Sequence, residues 1–376
     1  MKCAWLCLCA VAPLAAQGPT SGFGLIGRTG IVVDGYAFGS PYAFDHIVEW
    51  TLPVSLTRQF GPRFAVDLSS GYARASAKTT SGTFVLSGAT DTDVRASWAA
   101  VPSHLIVTIV GTLPTGKKAV PDSTLPLLSA LATELFGFTT ARFGTGGGVT
   151  GGFGTAFKVG ERWAIGVGGS YRWYARYTPV AGGSTLEPGG EGRARFGVEG
   201  PIGSRGYLRS AVVFATSGVD TLSAGSRSVS GPRFLVYSGL SLPAGRGSLF
   251  LYAYDRYRLR PNGYDTTVVQ VPRGNVLALG ARLERPLSPA VNLAPNVEFR
   301  DELVAGGGGG GAGGGATGGL VLLGWLVRPG VDLRYRASGT VTLLVQGQMA
   351  LGRVAANGAS VSLVGPRAVL LLEWVR

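Results

Sequence analysis

Few residues in this chain have the types and spacing that an enzyme or a metal site requires. The two histidines, His46 and His104, fall at opposite ends of the predicted strands, so they cannot share a metal ion or a proton. The cysteines Cys3, Cys7 and Cys9 all lie in a leader that we expect to be removed, which leaves no thiol chemistry and no disulfide. Neither Gly-x-Ser-x-Gly nor His-Glu-x-x-His occurs. The sequence therefore predicts no catalytic residue, no cofactor and no metal site.

Three glycine-rich stretches resemble ligand-binding motifs only superficially. Residues 111–118 nearly spell a phosphate-binding loop, but Lys118 stands where a Mg²⁺-binding Ser or Thr belongs, and no helix follows. Residues 146–151 match Gly-x-Gly-x-x-Gly, yet they begin a predicted strand rather than a helix. The run at 306–319 predicts a flexible loop, with a gating role as one alternative.

The charged residues are dispersed along the chain rather than clustered. The formal net charge is +13, or +12 once Lys2 leaves with the leader, and this spread argues against nucleic-acid binding. Ion pairs across strands could simply stiffen the wall of a barrel. Alternatively, arginines between positions 172 and 195 converge near the outer mouth and give a positive potential that favours anions. The predicted pore-lining residues are Arg95, Arg172, Arg176, Arg193, Arg195, Arg282, Glu284, Glu298, Arg300, Asp332 and Arg334.

A series of strands must position these side chains, and residues 275–300 show the pattern most clearly. Leu277, Leu279 and Leu283 alternate with small or charged residues, and the alternation resumes around Val297 after a turn. Successive side chains of a strand point to opposite faces, so each segment has one apolar face and one polar face. The same alternation recurs at residues 48–57, 162–174, 191–199 and 321–336.

Short turns alternate with longer loops along the chain. We place short turns at residues 60–63, 101–103, 159–161, 202–205, 243–246, 286–289 and 337–339. Longer loops fall near residues 38–46, 77–91, 114–145, 178–189, 217–231, 261–272, 301–319 and 355–360. Seven turns and eight loops connect sixteen strands, with fourteen as the nearest alternative, and both ends of the chain emerge on the short-turn side.

The faces of these strands are inverted relative to a soluble β-sandwich. A large closed sheet with charged residues inside and an apolar band outside requires lipid around it, and in lipid an open sheet edge would leave backbone groups unpaired. Glycine accounts for 61 of 376 residues and charged residues for only 15%, an unusual balance for a soluble domain. We predict an all-β fold, a closed antiparallel transmembrane β-barrel with short periplasmic turns and long extracellular loops.

The N-terminal segment is the reason to expect export. Lys2 precedes an apolar stretch that is too short for a membrane-spanning helix, and a small-residue cleavage site follows. We predict a signal peptide at residues 1–16, cleaved after Ala16, and a single barrel domain at residues 17–376. Together with the barrel, this predicts location in the bacterial outer membrane.

The predicted loop at residues 114–145 is the longest, and long loops with structure of their own are usually functional. Within it, residues 125–138 are typical of a short apolar helix capped by Asp122 or Ser123. Such a helix could fold inward and narrow the pore, pack over another loop, or cover a neighbouring subunit. The predicted constriction residues are Leu125, Leu127, Leu128, Leu131, Leu135 and Phe136.

One hairpin, at residues 93–117, carries a family resemblance. A strand reading Asp-Val-Arg-Ala-Ser-Trp begins at Asp93, a turn follows at Pro102, and the second strand leads into Pro-Thr-Gly-Lys ending at Lys117. This hairpin resembles one in outer-membrane transporter barrels of the phenol-degradation meta-pathway family, which is related more loosely to fatty-acid and toluene channels. The resemblance implies an outer-membrane location and passive uptake of small solutes, with the substrate left open.

The sequence leaves three interpretations of function. The first is a channel for passive diffusion of small solutes, aromatic or weakly acidic, whose partners are outer-membrane lipid, the solutes and the barrel-assembly machinery. The second is a structural or surface-interaction barrel with a blocked lumen, and the third is a barrel enzyme whose site lacks a local motif. The substrate, the ion selectivity and the choice between monomer and trimer stay open.

Overall fold

A computed structural model of the protein describes residues 24–376 except 81, 262, 265–266, 306–319 and 357. The predicted signal peptide and the glycine-rich segment at 306–319 lie outside the described residues. Strands make up most of the described chain, and its single α-helix is short. No helix in this part of the chain is long and apolar enough to cross a membrane.

The strands follow one another in a simple up-and-down order, and we number them along the chain. They are β1 Leu25–Phe38, β2 His46–Phe60, β3 Phe64–Thr79, β4 Gly82–Ala89, β5 Thr92–Val101, β6 Leu105–Leu113, β7 Gly148–Val159, β8 Trp163–Tyr174, β9 Leu186–Glu187, β10 Glu191–Ile202, β11 Gly206–Ser217, β12 Asp220–Leu222, β13 Arg227–Ser230, β14 Arg233–Ala244, β15 Gly247–Arg258, β16 Val268–Val271, β17 Gly274–Pro286, β18 Val291–Ala305, β19 Leu320–Arg336, β20 Val341–Ala356 and β21 Ala359–Val375. A 3-10 turn at Asp122–Thr124 leads into helix α1, Leu125–Leu131, between β6 and β7.

The main sheet closes on itself through its first strand. One edge of β1 pairs with β2, and the other pairs with β21 in antiparallel register from Ile26 opposite Val375 to Phe38 opposite Leu363. Because β4 and β5 both pair with β3, on successive parts of its length, they share one position in the ring. The described chain therefore forms a closed barrel of sixteen antiparallel strands, which confirms the larger of the two predicted numbers.

Alternation along each strand separates the two faces of the barrel. Ile109, Phe153, Trp173, Leu279 and Val297 are all strongly exposed on the outer surface, whereas inward positions carry most of the charged groups. In water, exposed apolar area of this kind costs about 25 cal/mol per Å², so a continuous belt is stable only against an apolar surrounding. This is the outer surface of a barrel that spans a lipid bilayer.

The seven short turns occur at one end of the barrel, at the predicted places, and both ends of the described chain lie there too. Leu25 N donates to Arg376 O at 3.0 Å, which ties the chain ends together beside the turns. At the opposite end, three predicted loops contain strands. A small sheet of β9, β12, β13 and β16, which we call the outer sheet, is built from the connections after β8, β11 and β15.

Two of the predicted loops are wrong. Residues 77–91 form the β3–β4 hairpin, with Thr79 opposite Gly82, because Phe84 and Leu86 pack inside the barrel while Val85 between them is exposed on the other face. Residues 355–360 are also mostly strand, since β20 and β21 stay paired to the last residue of β20. The polar, glycine-containing composition of these hairpins had predicted loops.

The adjacent valines Val212 and Val213 test the assignment of the two faces, because they are the same residue type near the middle of β11. Val212 is exposed on the outer surface, and Val213 lines the lumen. Val212→Arg should cost about 2–4 kcal/mol of folding free energy in lipid vesicles, since its charge meets hydrocarbon. Val213→Arg should cost much less. Equal losses in urea titrations of the two variants would contradict the assignment.

Candidate functional site: the lumen and the inner loop

The connection between β6 and β7, residues 114–147, enters the barrel, and we call it the inner loop. Asp91 holds its two ends together. One carboxylate oxygen accepts from Gly116 N at 3.0 Å, and the other accepts from Thr145 N at 2.6 Å and Thr145 Oγ1 at 2.8 Å. Gly146 and Gly147 then take positive φ angles, of 78° and 95°, to lead the chain back into β7.

The inner loop crosses the lumen to the opposite wall. In the ring of sixteen strands, β18 stands half-way round from β6. Arg300 Nη1 donates to Glu134 O at 2.7 Å, and Leu135 N donates to Glu302 Oε2 at 2.9 Å, with both wall residues on β18. The carboxylate of Glu134 also forms an ion pair with Arg256 on β15. The crossing is therefore fixed at its far end by backbone and side-chain contacts.

The apolar face of the inner loop fills one side of the lumen. Leu127, Leu131, Leu135 and Phe136 are completely buried, while Leu125 at the helix start is exposed. Each buried side chain of this size contributes roughly 1.5–3 kcal/mol relative to exposure. The wall supplies apolar partners from neighbouring positions of the ring, β19, β20, β21, β1, β2, β3 and β4. Of the predicted constriction residues, all but Leu125 lie in this packed region, where the half-buried Leu128 packs against the buried cluster.

An aromatic cluster forms the centre of that packing. The Tyr36 ring on β1 lies 5.3 Å from Phe136 and 5.3 Å from Phe138, measured between ring centroids. Phe38 stacks on Tyr42 at 4.2 Å. Burial, reinforced by a nearby carboxylate, raises the pKa of Tyr42 to about 12, so this ring stays neutral at physiological pH.

A buried arginine joins this cluster to the wall. Arg328 on β19 donates through Nη2 to Phe136 O at 2.8 Å and to Tyr36 OH at 2.6 Å. Its Nη1 lies 3.5 Å from Glu298 Oε1 on β18, and Glu298 also pairs with Arg300 at 2.8 Å. A buried charge is stable only when paired and hydrogen-bonded, so removing any partner here would leave an uncompensated ion.

Two more buried carboxylates anchor the returning part of the inner loop. Glu49 on β2 accepts from Thr140 N at 2.8 Å, and Asp34 on β1 accepts from Thr139 Oγ1 at 3.0 Å. Asp34 also lies 3.2 Å from Arg367 on β21. The sequence prediction did not include Asp34 or Arg367 in the site. Their inward positions on predicted strands were the available signal, but nothing local indicated which loop they would meet.

The predicted loop helix is shorter than expected. The sequence predicted a helix over 125–138, whereas α1 ends at Leu131, and neither Asp122 nor Ser123 caps it. Beyond α1 the backbone groups bond to the wall instead of continuing the helix, as at Leu135 N and Thr140 N. Gly137, with φ of 64°, further breaks the helical geometry.

The other side of the lumen contains a cavity of about 910 Å³. Its wall comes from neighbouring strands of the ring, β6, β7, β8, β10, β11, β14 and β15. Gly154, Gly166 and Gly168 leave it wide at the level of β7 and β8. The cavity runs from His104, beside a short turn, to Arg233, at the outer end of β14. It therefore follows the whole length of these strands.

Arginines outnumber acids in this cavity. Glu191, which is buried, is compensated by both Arg193 and Arg233, and Arg209 pairs with Glu199 at 2.7 Å. Arg195, by contrast, is exposed to the lumen and forms no ion pair with any described residue. Arg256 lines the same cavity and pairs with the tip of the inner loop. The balance of charge in the cavity lining is positive.

The remaining predicted pore-lining residues are spread around the barrel. Arg172 lies over the Tyr174 ring at 4.6 Å, below the outer mouth. Arg176 does not line the wall: it follows the end of β8, is exposed, and pairs with Glu187 at 2.7 Å. Of the four arginines predicted to converge, Arg193 and Arg195 line the cavity and Arg172 lies opposite Glu191, whereas Arg176 falls beyond the end of β8.

The predicted pore-lining residues that remain lie toward the short turns. Arg95 is exposed on β5, opposite Asp67. Arg282 on β17 lies 3.6 Å from Glu284 and 3.4 Å from the buried Asp332. Arg334, two residues after Asp332 on β19, is exposed. Arg282 and Asp332 thus form an ion pair across strands, which is the wall-stiffening arrangement that the sequence left open.

Comparisons with known proteins give no family for this chain. No family model and no curated protein sequence matches it. Among solved structures, it is similar to Pseudomonas aeruginosa OpdQ (12% identity, 94% of this chain and 97% of that one, TM-score 0.46) and to OmpT of Vibrio cholerae (10%, 95% and 99%, 0.44). It is also similar to the CymD monoaromatic hydrocarbon channel (11%, 93% and 88%, 0.40). At these values the similarities say nothing about what the lumen transports, and the family resemblance of 93–117 stays a prediction.

Phe136 provides a test of how the inner loop is held. Phe136→Ala removes a completely buried ring, a change that typically costs 3–5 kcal/mol. The equilibrium constant for local opening of the loop should rise by roughly 100-fold or more, since each 1.4 kcal/mol changes an equilibrium constant about tenfold. Trypsin cleavage after Arg142, followed by mass spectrometry of the barrel in lipid vesicles, measures that opening.

Leu125→Ala is the matched control, because Leu125 belongs to the same loop and is exposed. This variant should be cleaved at the wild-type rate. If both variants are cleaved like the wild type while remaining folded, the inner loop is not held by the packing of Phe136.

Proposed function

We propose that this protein is an outer-membrane channel through which small solutes diffuse passively. The observation that carries the proposal is the division of the lumen: the inner loop fills the side enclosed by β19 to β4, and the cavity on the other side follows the full length of its strands. A barrel of this size can enclose an aqueous channel. The inner loop then acts as the constriction that limits the size of the solute, with no cofactor and no coupling to energy.

The charges in the cavity favour small anions. A groove with low-dielectric walls and an excess of one charge focuses the field and raises the local concentration of counter-ions. Arg195 is the residue best placed to meet a solute, because its charge is not neutralised by a described acid. Val213 and Leu235 add apolar surface to the same cavity. Weakly acidic aromatic solutes combine the two properties.

The orientation follows from the connections. We place the short turns in the periplasm and the inner loop and outer sheet toward the cell exterior, as in other outer-membrane barrels. The predicted signal peptide at residues 1–16 supplies the export. We expect no catalytic activity, because His46 and His104 lie at opposite ends of the barrel, and no group of three potential metal ligands occurs among the described residues.

A barrel with a blocked lumen is the second candidate, and one observation favours it. The outer end of the cavity meets the ion-paired cluster of Glu191, Arg193 and Arg233, and the connections that build the outer sheet lie at the same end. This end also contacts the inner loop, since Val120 N donates to Pro179 O at 3.1 Å. A fixed arrangement of these groups would close the path.

Conductance across a planar lipid bilayer distinguishes the two candidates. The channel proposal predicts discrete openings, and a reversal potential in a KCl gradient that shows preference for chloride. Bilayers that stay silent with protein shown to be folded would overturn the channel and support the blocked lumen.

Arg195→Gln tests the source of the selectivity. An exposed lumenal charge interacts with a passing ion by about 1 kcal/mol, so the preference for chloride should fall roughly two- to fivefold. Arg227→Gln is the control, because Arg227 is an exposed arginine of the outer sheet, away from the cavity. If the wild type and both variants prefer chloride to the same degree, residues other than Arg195 set the selectivity.

A further inference from the structure

Exposed arginines recur at the short-turn end of the barrel. Four of the seven turns contain a glycine with φ near 60–73° followed within two residues by an arginine, and two more turns follow directly after a strand that ends with an arginine at or next to its last position. We call these six residues the turn arginines: Arg63, Arg162, Arg205, Arg246, Arg285 and Arg336. The remaining turn, between β5 and β6, holds His104.

The charge of the turn arginines is not neutralised within the protein. All six are exposed, and none forms an ion pair with a described residue. The seven turns themselves contain a single acid, Glu161. The turn arginines therefore form a positively charged ring around most of the circumference of the barrel at its short-turn end. The charged groups in the lumen differ, because they are largely paired with acids.

The apolar belt reaches the same level. Phe60 and Phe64 flank one turn, are exposed, and have ring centroids 5.9 Å apart. Val159 and Ile202 end their strands on exposed positions beside two other turns, and Leu287, in the β17–β18 turn, is 63% exposed. Because apolar side chains extend to the turns, the arginines next to them lie at the depth where a bilayer changes from acyl chains to phosphate headgroups.

We propose that the turn arginines bind the phosphate groups of anionic phospholipids in the leaflet at the short-turn end. A guanidinium group can donate two parallel hydrogen bonds to one phosphate. Because it is weakly hydrated compared with an ammonium group, it gives up little bound water when it does so. Lipid is the occupant because the ring continues directly from the apolar belt, so acyl chains and phosphate of one molecule contact both surfaces together. This interaction goes beyond transport, and none of the six turn arginines lines the cavity.

Three consecutive turns along the wall allow a direct test. The variant with Arg162→Gln, Arg205→Gln and Arg246→Gln removes the charge from the β7–β8, β10–β11 and β14–β15 turns. The control variant carries Lys118→Gln, Arg227→Gln and Arg260→Gln, which remove the charge of three exposed basic residues at the opposite end of the barrel. Native mass spectrometry then counts the phosphatidylglycerol and phosphatidylcholine molecules that each folded barrel retains from mixed micelles.

The wild type and the control should retain phosphatidylglycerol in preference to phosphatidylcholine. Each arginine near an anionic surface contributes on the order of a fivefold preference, so the turn variant should lose most of the bound phosphatidylglycerol, by about tenfold or more. Retention by the turn variant equal to that of the wild type would overturn the proposal, as would retention of the two lipids by the wild type without preference. Bilayer conductance of the turn variant should be unchanged, which separates this result from any failure of the channel proposal.

Discussion

Pairing of β1 with both β2 and β21 is the constraint on which the rest of the structure depends. A sheet this large with an apolar outer face can exist in lipid only if no backbone edge is left open. Closure fixes which residues face outward and which face the lumen, because side chains alternate along every strand. It also sets the interior volume that the inner loop must partly fill.

The inner loop solves a problem that closure creates. A barrel of sixteen strands encloses more space than inward side chains can fill, and the charged groups on its wall need partners. On one side, apolar residues such as Leu131 and Phe136 pack against small and apolar wall residues, and Arg328 and Glu49 bond to the loop backbone. On the other side the wall keeps glycines and paired charges around an unfilled cavity. The same loop thus stabilises one part of the barrel and shapes the path through the other.

The strands and turns were predictable from the sequence because their signal is local. An alternation of period two and a glycine or proline at a turn can be seen within about ten residues, as at Leu277 to Leu283, so the barrel and its sixteen strands were confirmed. The β3–β4 hairpin was missed because its inward Leu86 packs on the inner loop, a partner distant in sequence. Gly280 shows a similar limit: alternation with Leu279 places it on the inner face, but only the structure shows that a side chain there would collide with the Tyr252 ring on the neighbouring strand.

The site was less predictable than the fold. That the inner loop carries an apolar segment was evident from its composition, and most of its predicted constriction residues do lie inside the barrel. Its direction across the lumen depends on Arg256, Arg300 and Glu302, which are far away in sequence and have no pattern of their own. Arg176 was misplaced because the end of β8 cannot be located to within two residues from alternation alone.

The path of the inner loop is the central claim, and a disulfide cross-link tests it most directly. Residues 17–376 contain no cysteine, so a pair can be introduced without background. Thr51 Oγ1 on β2 lies 3.1 Å from Thr140 Oγ1 of the inner loop, so cysteine sulfurs at these two positions can reach each other. Oxidation of the Thr51→Cys, Thr140→Cys variant in lipid vesicles should give nearly complete cross-linking, while Thr51→Cys with Leu125→Cys should give none. Absence of the Thr51–Thr140 cross-link in a folded barrel would show that the inner loop does not take this path inside the barrel.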